Sequence, residues 1–423
     1  MLRSSLVAAV LLVSALVSQA SEIYFSFGGG TPGLGRAVVE DNLLTLVEPV
    51  DLGFPVTHPY KLAHAAGAGV VAVAVGGDEE PAVVLVPVDG GAVLSTALPA
   101  ELSDIAATGD QFVVSASKGR FVVIDAASGS ILSELNTRKA LTPPGRKGEF
   151  IRILPGGSRA LVSFQKDDDN SPAQGNRIVL LELDPLEVRA DMPLVRDREE
   201  LHISGNPKEQ GPGPEVIMLC PKSNALAVTL DLYGALAFAD LDAAFQGKLK
   251  NLTYVPTGSD GSWGNSFPDR ATLVEVDGKE ILIVSNASTN GGFALFDVAS
   301  RKAIQHLPAA AGAEAPIDFP RLGKAATVIS GKVKARSDEG LEKSSATENK
   351  LVLIDYSQLG KQAPATLESI DLGFAAHRIT RVGDTSVAVF GEHEIVLVDV
   401  SKKSILDRKP LPGPVIRALG ISP

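Results

Sequence analysis

One short pattern recurs eight times along the chain and constrains the fold more than any other feature. An alternating apolar run ends in a turn that contains Asp, and a second apolar run follows, most clearly in FVVIDAASGSIL at Phe121–Leu132. The eight aspartates are Asp41, Asp89, Asp125, Asp184, Asp240, Asp297, Asp355 and Asp399. Short strands that repeat at this spacing predict a radially repeated all-β protein, a β-propeller.

The recurring Asp is interpreted first as a turn residue. A carboxylate directly after a strand can accept hydrogen bonds from backbone N–H groups of the next residues and so close an Asx-turn. Because this role is local, the eight aspartates are not assigned to a metal or to catalysis. They predict where the turns of each blade lie.

The strand pairs between these turns predict eight blades, with seven as the rival count. We name the strands of a blade A to D from the central channel outward, so that the Asp marks the C–D turn. Seven A strands are expected near Lys61, Leu102, Phe150, Glu215, Thr272, Ile317 and Arg378. The N-terminal runs IYFSF, RAVVED and LLTLV lack an A strand, and the C-terminal VIRALGISP supplies one. Joining the two termini closes the ring and removes exposed strand edges.

Long insertions are expected on one face of this ring. In a propeller the B–C and D–A connections share a face, and residues 28–35, 166–176, 196–214, 257–270 and 332–349 all fall in such connections. The opposite face has tight turns. Because function in rigid scaffolds concentrates on long loops, the sequence predicts a ligand or partner site on this loop-rich face.

The first twenty residues have the pattern of a signal peptide rather than of a folded segment. Arg3 precedes the apolar stretch Leu6–Val17, and Ser18–Ala20 forms a small-x-small cleavage site. We therefore expect a propeller domain at 21–423, secreted or periplasmic after cleavage near Ala20. No Cys follows the cleavage site, so no lipid anchor is predicted.

Charge and cysteine content exclude several classes of partner. The chain has 39 basic and 50 acidic residues, and an acidic surface repels nucleic-acid phosphates. Nor does it contain a basic run that would hold it to an anionic membrane. The single cysteine, Cys220, lies in an apolar run and is predicted to be buried and inert. We expect a monomer whose partner is a small molecule or a protein.

Motif searches find little chemistry. The sequence contains no P-loop, dinucleotide fingerprint, metalloprotease helix or nucleophile elbow. Asp167–Asp169 with Asn170 offers oxygen ligands but lacks the spacing of a calcium loop. No metal site and no cofactor are predicted.

Position on the predicted loop-rich face selects a few candidate ligand-binding residues. His58 and His202 fall in D–A connections, His377 opens an A strand and His393 lies in a B–C turn. Trp263, the only tryptophan, falls in another D–A connection. For each residue, a separately solvated side chain is an equally good interpretation.

Three segments resemble a known family. They are Ile23–Val50 followed by His58-Pro59-Tyr60, Gly211–Glu215 with Asp231–Gly234, and Ser285-Asn286-Ala287. Together they look like the lactonase-type propellers with YVTN-like repeats. The likeness implies a propeller fold and a sugar-lactone hydrolase, with Asp231, Arg270, Asn286 and the histidines of the channel mouth as candidate site residues.

The chain departs from that family at the residues that matter for chemistry. Gly213 and Glu215 stand where the family has two histidines, and Ala287 stands where it has Glu. Opening of a lactone ring needs general acid–base groups, and these are the residues that the chain lacks. The leading hypothesis is therefore a binding module. A lactonase-like hydrolase is the alternative. A redox propeller with a quinone or haem is a third class, but the sequence has no haem-attachment motif. Acids, arginine and histidine converging at the channel mouth would favour an enzyme, whereas an apolar or uniformly acidic mouth would favour a binding module.

Overall fold

The computed structural model describes residues 21–421, except 29–31, 53–60, 77–79, 143, 145–147, 166–175, 195–210, 262, 289–290, 311, 338–339 and 362. Its strands form eight four-stranded antiparallel sheets, each a blade. Eight blades are therefore correct and the rival count of seven is wrong. The signal-peptide prediction lies outside the described residues.

Blade 1 closes the ring as the sequence predicted. It consists of β1 (Ser21–Phe27), β2 (Gly33–Glu40), β3 (Leu43–Val50) and, innermost, β32 (Val415–Ile421). Strand β32 pairs antiparallel with β1, so that Tyr24 lies opposite Leu419 and Ser26 opposite Arg417. The strands from the two ends of the described chain thus share one sheet.

The other blades follow chain order from the channel outward. Blades 2 to 4 contain β4 (Lys61–Ala65), β5 (Val70–Val75), β6 (Ala82–Pro87), β7 (Leu94–Ala97); β8 (Leu102–Thr108), β9 (Gln111–Ala116), β10 (Arg120–Asp125), β11 (Ile131–Asn136); β12 (Gly148–Ile153), β13 (Arg159–Phe164), β14 (Arg177–Leu183) and β15 (Leu186–Pro193). Blades 5 and 6 contain β16 (Pro214–Cys220), β17 (Ala225–Leu230), β18 (Ala235–Asp240), β19 (Thr253–Pro256); β20 (Pro268–Val276), β21 (Lys279–Asn286), β22 (Gly292–Asp297) and β23 (Lys302–Leu307). Blades 7 and 8 contain β24 (Ile317–Phe319), β25 (Lys324–Ser337), β26 (Gly340–Asp355), β27 (Thr366–Asp371); β28 (Arg378–Arg381), β29 (Ser386–Phe390), β30 (Glu394–Asp399) and β31 (Ser404–Pro410).

Helix is confined to short turns in the described part of the chain. Single-turn α-helices lie at Thr137–Ala140 and Leu241–Ala244, and 3-10 turns at Asp231–Tyr233 and Leu359–Lys361. None of the helices in the described ranges is long and apolar enough to cross a membrane.

The hydrophobic core lies between blades rather than inside one globule. Eight clusters of buried apolar side chains each join two neighbouring blades, and one of them joins blade 8 to blade 1. The B and C strands are apolar on both faces because each sheet is covered on both sides. Cys220 is buried in one such cluster, and burial raises the pKa of its thiol to about 12.

The C–D turns confirm the turn chemistry predicted for the repeated Asp. Asp125 Oδ1 accepts a hydrogen bond from Ser128 N at 2.7 Å, and Asp297 Oδ1 accepts one from Ser300 N at 2.7 Å. Asp399 Oδ1 accepts from Lys402 N at 2.9 Å. In each of these turns the donor lies three residues after the Asp, whereas the sequence predicted donors one or two residues after it.

One predicted loop is in fact regular structure. Residues 332–349 continue β25 and β26 as a long antiparallel hairpin, paired from Ser330–Thr347 to Ser337–Gly340. We call the part from Ser330 to Thr347 the arm. Its dense charges conceal the strand alternation, which is why the sequence analysis assigned it to a loop.

Candidate functional site

A cavity of about 1430 Å³ occupies one end of the central channel. It is lined by the first residues of the innermost strands and by residues where B strands end or C strands begin. This end is therefore the one that carries the B–C and D–A connections. The arm contributes to the wall through Ser330, Lys334, Lys343 and Ser345.

Charged side chains dominate the cavity wall. The acids are Asp104, Glu149, Glu215, Asp231, Asp269, Glu314 and Glu392, and the bases are Lys61, Arg270, Lys334, Lys343, Arg378 and Arg417, with His377 beside them. The wall is thus mixed in charge, neither apolar nor uniformly acidic. A ligand with both polar and ionic groups would find partners in it.

The two signs of charge are segregated around the ring. Blades 3 to 6 supply Asp104, Glu149, Glu215, Asp231 and Asp269, with Arg270 as the one cavity-lining base of these blades. Blades 8, 1 and 2 supply Arg378, Arg417 and Lys61 from their innermost strands, with Glu392 of blade 8 as the one cavity-lining acid of these blades. Blade 7 carries both signs. The cavity therefore has an acidic arc and a basic arc that face each other across the channel.

Most of these charges are paired within the wall. Lys61 Nζ lies 3.1 Å from Asp104 Oδ1, and Asp104 Oδ2 also accepts from Ile151 N at 2.9 Å. Arg378 Nη1 lies 2.8 Å from Glu314 Oε1. These bonds fix the side chains, because a partly buried ion pair is screened less than an exposed one.

The arm places a lysine into the acidic arc. Lys334 Nζ lies 2.5 Å from Asp231 Oδ2, and both side chains are at most 10% exposed. Lys334 N also donates to Ala287 O of blade 6 at 2.6 Å. Burial raises the pKa of Asp231, and the Lys334 ammonium opposes that rise. The other carboxylate oxygen, Asp231 Oδ1, is buried without a hydrogen-bond partner.

Glu215 is a strongly perturbed carboxyl of the wall. Desolvation, reinforced by the negative charges of Asp269 and Asp231, raises its pKa to about 8. Gln165 Nε2 donates to Glu215 Oε1. At neutral pH Glu215 is thus largely protonated and can donate a hydrogen bond as well as accept one.

Arg417 differs from the other cavity arginines because no carboxylate within the described residues pairs with it. The only hydrogen bond from its guanidinium to a described residue is a long one of 3.3 Å from Nη1 to Ile416 O. Burial lowers the pKa of Arg417, and the charge of Arg378 lowers it further. Blade 1, which holds Arg417, lies four blades from blade 5, which holds Glu215, so the two stand on opposite sides of the ring.

The structure brings three of the predicted site residues together in the cavity: Asp231, Arg270 and His377. Arg270 Nη1 lies 3.0 Å from the carboxylate of its chain neighbour Asp269. Burial lowers the pKa of His377, and the adjacent Arg378 lowers it further. His58 and His202 lie outside the described residues.

The remaining three predicted residues lie elsewhere. Asn286 lines a separate cavity of about 330 Å³ with His306, and its Nδ2 donates to Thr257 O at 2.9 Å. His393 is exposed beside Glu392. Trp263 packs against the apolar cluster between blades 4 and 5, where its indole covers part of the core. It was predicted to be an exposed mouth residue and is partly buried instead.

The sequence analysis missed most of the basic arc and several acids. Asp104, Glu149, Glu314, Arg378 and Arg417 all stand at or just before the start of an innermost strand. A signal existed, since six of the seven predicted A strands begin at a charged residue or next to one. This signal does not identify a site by itself, because charged residues beside a strand are usually exposed to solvent.

We find no metal site among the described residues. They contain no cluster of three or more His, Cys, Asp or Glu side chains that could hold a metal ion. The Asp167–Asp169 run falls outside those ranges.

Comparison of the sequence with known protein families finds no match, and comparison with curated proteins finds no similar chain. Solved structures do resemble the fold. Apo AztD from Citrobacter koseri superposes with a TM-score of 0.56 at 12% identity, over 95% of this chain and 98% of AztD. Quinohemoprotein alcohol dehydrogenase from Comamonas testosteroni gives a TM-score of 0.56 at 11% identity, over 84% of this chain and 69% of that enzyme.

At such identities the likeness shows the architecture alone. The chain is an eight-bladed β-propeller module whose relatives in shape include AztD and quinoprotein dehydrogenases. The resemblance to lactonase-type propellers is not confirmed.

Proposed function

We propose that this protein is a propeller binding module, exported after cleavage near Ala20, that holds a small polar ligand in the central cavity at its loop-rich face. One observation carries the proposal: the cavity of about 1430 Å³ is lined by charged residues from all eight blades. A volume of this order accommodates a small molecule with room for water.

Binding fits the cavity better than catalysis does. A mixed-charge mouth would also suit a hydrolase, but Asp231 is held by Lys334 and Arg270 by Asp269. Asn286, the third candidate of the lactonase hypothesis, lies in the other cavity. A general base needs to be free to reach a substrate proton, and these pairings occupy Asp231 and Arg270, which leaves His377 as the one cavity-lining candidate of that hypothesis outside an ion pair in the described residues.

A thermal-shift screen of small polar metabolites tests the proposal. A ligand that binds the folded state raises the melting temperature by mass action. Ser345 lines the cavity and is exposed, so Ser345→Trp should fill space there without disturbing the core. Ser95 is an exposed serine on the outermost strand of blade 2, so Ser95→Trp is the matched control.

We expect at least one compound to stabilise the wild type and Ser95→Trp but not Ser345→Trp. The proposal fails if no compound stabilises the wild type. It fails equally if every stabilising compound acts on Ser345→Trp as strongly as on the wild type.

A further inference from the structure

The basic arc points to the chemistry of the ligand. We propose that the cavity recognises a small molecule with a carboxylate or phosphate group, and that Arg417 is the residue that binds this group. The inference rests on the proposed function, since it concerns the same cavity. It adds a ligand class and a specificity residue.

The first argument is the state of the Arg417 guanidinium. A guanidinium carries five N–H donors in a planar fork that fits carboxylate and phosphate oxygens. In the described residues Arg417 uses one of them, in the 3.3 Å contact with Ile416 O, and it forms no ion pair. It lines the cavity wall, so its remaining donors are available to a molecule in that space.

The second argument is the crowding of like charge around it. Arg378 and Lys61 come from the two blades that flank blade 1, and both line the same cavity. Their carboxylate partners, Glu314 and Asp104, also attract the Arg417 guanidinium, but neither forms an ion pair with it. An anionic group beside Arg417 would offset both the burial of the guanidinium and the repulsion from Arg378.

The third argument is what lies across the channel. Protonated Glu215 offers a donor and an acceptor, and Asp231 Oδ1 is a buried acceptor without a partner. Both residues line the cavity wall, where the hydroxyl or amine groups of a ligand would find hydrogen-bond partners. The ligand is therefore an anion at one end and carries hydrogen-bond donors at the other.

The opposite polarity suits the structure less well. A cation would meet an acidic arc in which Lys334 already sits against Asp231 at 2.5 Å. It would have to displace that buried ammonium. An anion at Arg417 displaces no side-chain partner that the described residues provide.

Titration calorimetry with three compounds of similar skeleton tests the inference: gluconate, glucose 6-phosphate and uncharged glucose. We expect one or both anions to bind and glucose not to bind. Preference for one anion tells a carboxylate ligand from a phosphate ligand. Arg417→Met keeps the length of the side chain and removes its charge, and should weaken binding by roughly tenfold or more.

Arg321→Met is the matched control, because Arg321 is 80% exposed and lies outside the cavity. It should bind like the wild type. If Arg417→Met does not fold, Arg417→Lys keeps the charge but loses the planar fork, and should bind more weakly than Arg321→Lys. The inference is overturned if neither anion binds at millimolar concentration, if glucose binds as well as the anions, or if the Arg417 variants bind like their Arg321 controls.

The two proposals fail in different ways. If only neutral or cationic compounds bind and Ser345→Trp blocks them, the binding module stands and the anion site is wrong. If no binding depends on the cavity, both are wrong.

Discussion

The two ends of the propeller use carboxylates in opposite ways. At the end with tight turns, an Asp recurs in blade after blade. Among the described residues, its own chain neighbours donate hydrogen bonds to it in four blades, at Asp125, Asp297, Asp355 and Asp399. At the end with the cavity, the carboxyls differ from blade to blade. Glu215 is desolvated there, and Asp231 depends on an ammonium from another blade. The carboxyl residues that recur from blade to blade therefore build the fold, and the carboxyl residues that differ between blades are the ones that line the cavity.

The largest effect should come from breaking an ion pair at the cavity end. Lys334→Met leaves the buried Asp231 carboxylate without its cation, which should cost about 3–5 kcal/mol in the free energy of unfolding. Lys402 pairs with Asp399 at 3.3 Å at the turn end, but its side chain is 69% exposed. Lys402→Met should cost about 0–1 kcal/mol.

Chemical denaturation of both variants measures the difference. The double variant Lys334→Met/Asp231→Leu should recover most of the loss, since an apolar pair can replace a buried ion pair. Equal losses for Lys334→Met and Lys402→Met would contradict the distinction between the two ends.

A medium effect should appear in the dependence of stability on pH. The folded protein holds the Glu215 proton up to a pKa of about 8, whereas a free Glu has a pKa of 4.5. The unfolded chain therefore releases this proton first, and Glu215 should make the protein less stable as pH rises from 4.5 to 8. The charges of Asp269, Asp231, Arg270 and Glu149 act on Glu215 as well.

Glu215→Gln should flatten the stability profile in that window and leave the hydrogen bond from Gln165 possible. At the turn end, stability depends on pH in the opposite direction. Hydrogen bonds from Ser128 lower the pKa of Asp125. Asp125 therefore stabilises the fold above pH 3.8, and this stabilisation is lost as pH falls. Melting curves between pH 3 and 9 give both slopes. An unchanged profile for Glu215→Gln would show that Glu215 ionises normally.

The smallest effect should come from a turn residue. Asp125→Ala removes the hydrogen bonds to Ser128 and should lower the free energy of unfolding by about 1 kcal/mol. Anion affinity should not change, because Asp125 lies at the end of the channel opposite the cavity. Calorimetry with the tightest-binding anion checks this. Weaker binding in Asp125→Ala would mean that the two ends are not independent.

Much of the fold could be predicted from the sequence, and less of the site. The apolar B and C runs and the repeated Asp indicate eight blades because every blade solves the same packing problem. Ring closure through Val415–Ile421 was also predictable, since the first blade lacked an innermost strand. The arm was missed because its strand alternation is hidden under charge, as in Lys332-Val333-Lys334.

The site could be predicted only as a face. Asp231, Arg270 and His377 were candidates from the sequence and line one cavity, whereas Arg417 and Glu314, which line it too, were not candidates. Their side chains meet only because eight innermost strands, which begin 37 to 66 residues apart, converge on one axis, and no local sequence pattern indicates that convergence. The partial burial of Trp263 could not be predicted for a related reason. Whether an aromatic side chain covers the core or faces solvent depends on the blade beside it.

The arm has a mechanical consequence for the ring. In a repeat protein each unit normally contacts only its neighbours, so stability is close to a sum of nearest-neighbour terms. Here a hairpin of blade 7 crosses blade 6, where Lys334 N meets Ala287 O, and ends in a salt link to blade 5. This bond between next-nearest units ties blades 5 to 7 into one stiff sector. The far side of the circle consists of blades 1 to 3, which no such bond joins among the described residues, so the wall that bears Arg417 lies in the more compliant part of the ring.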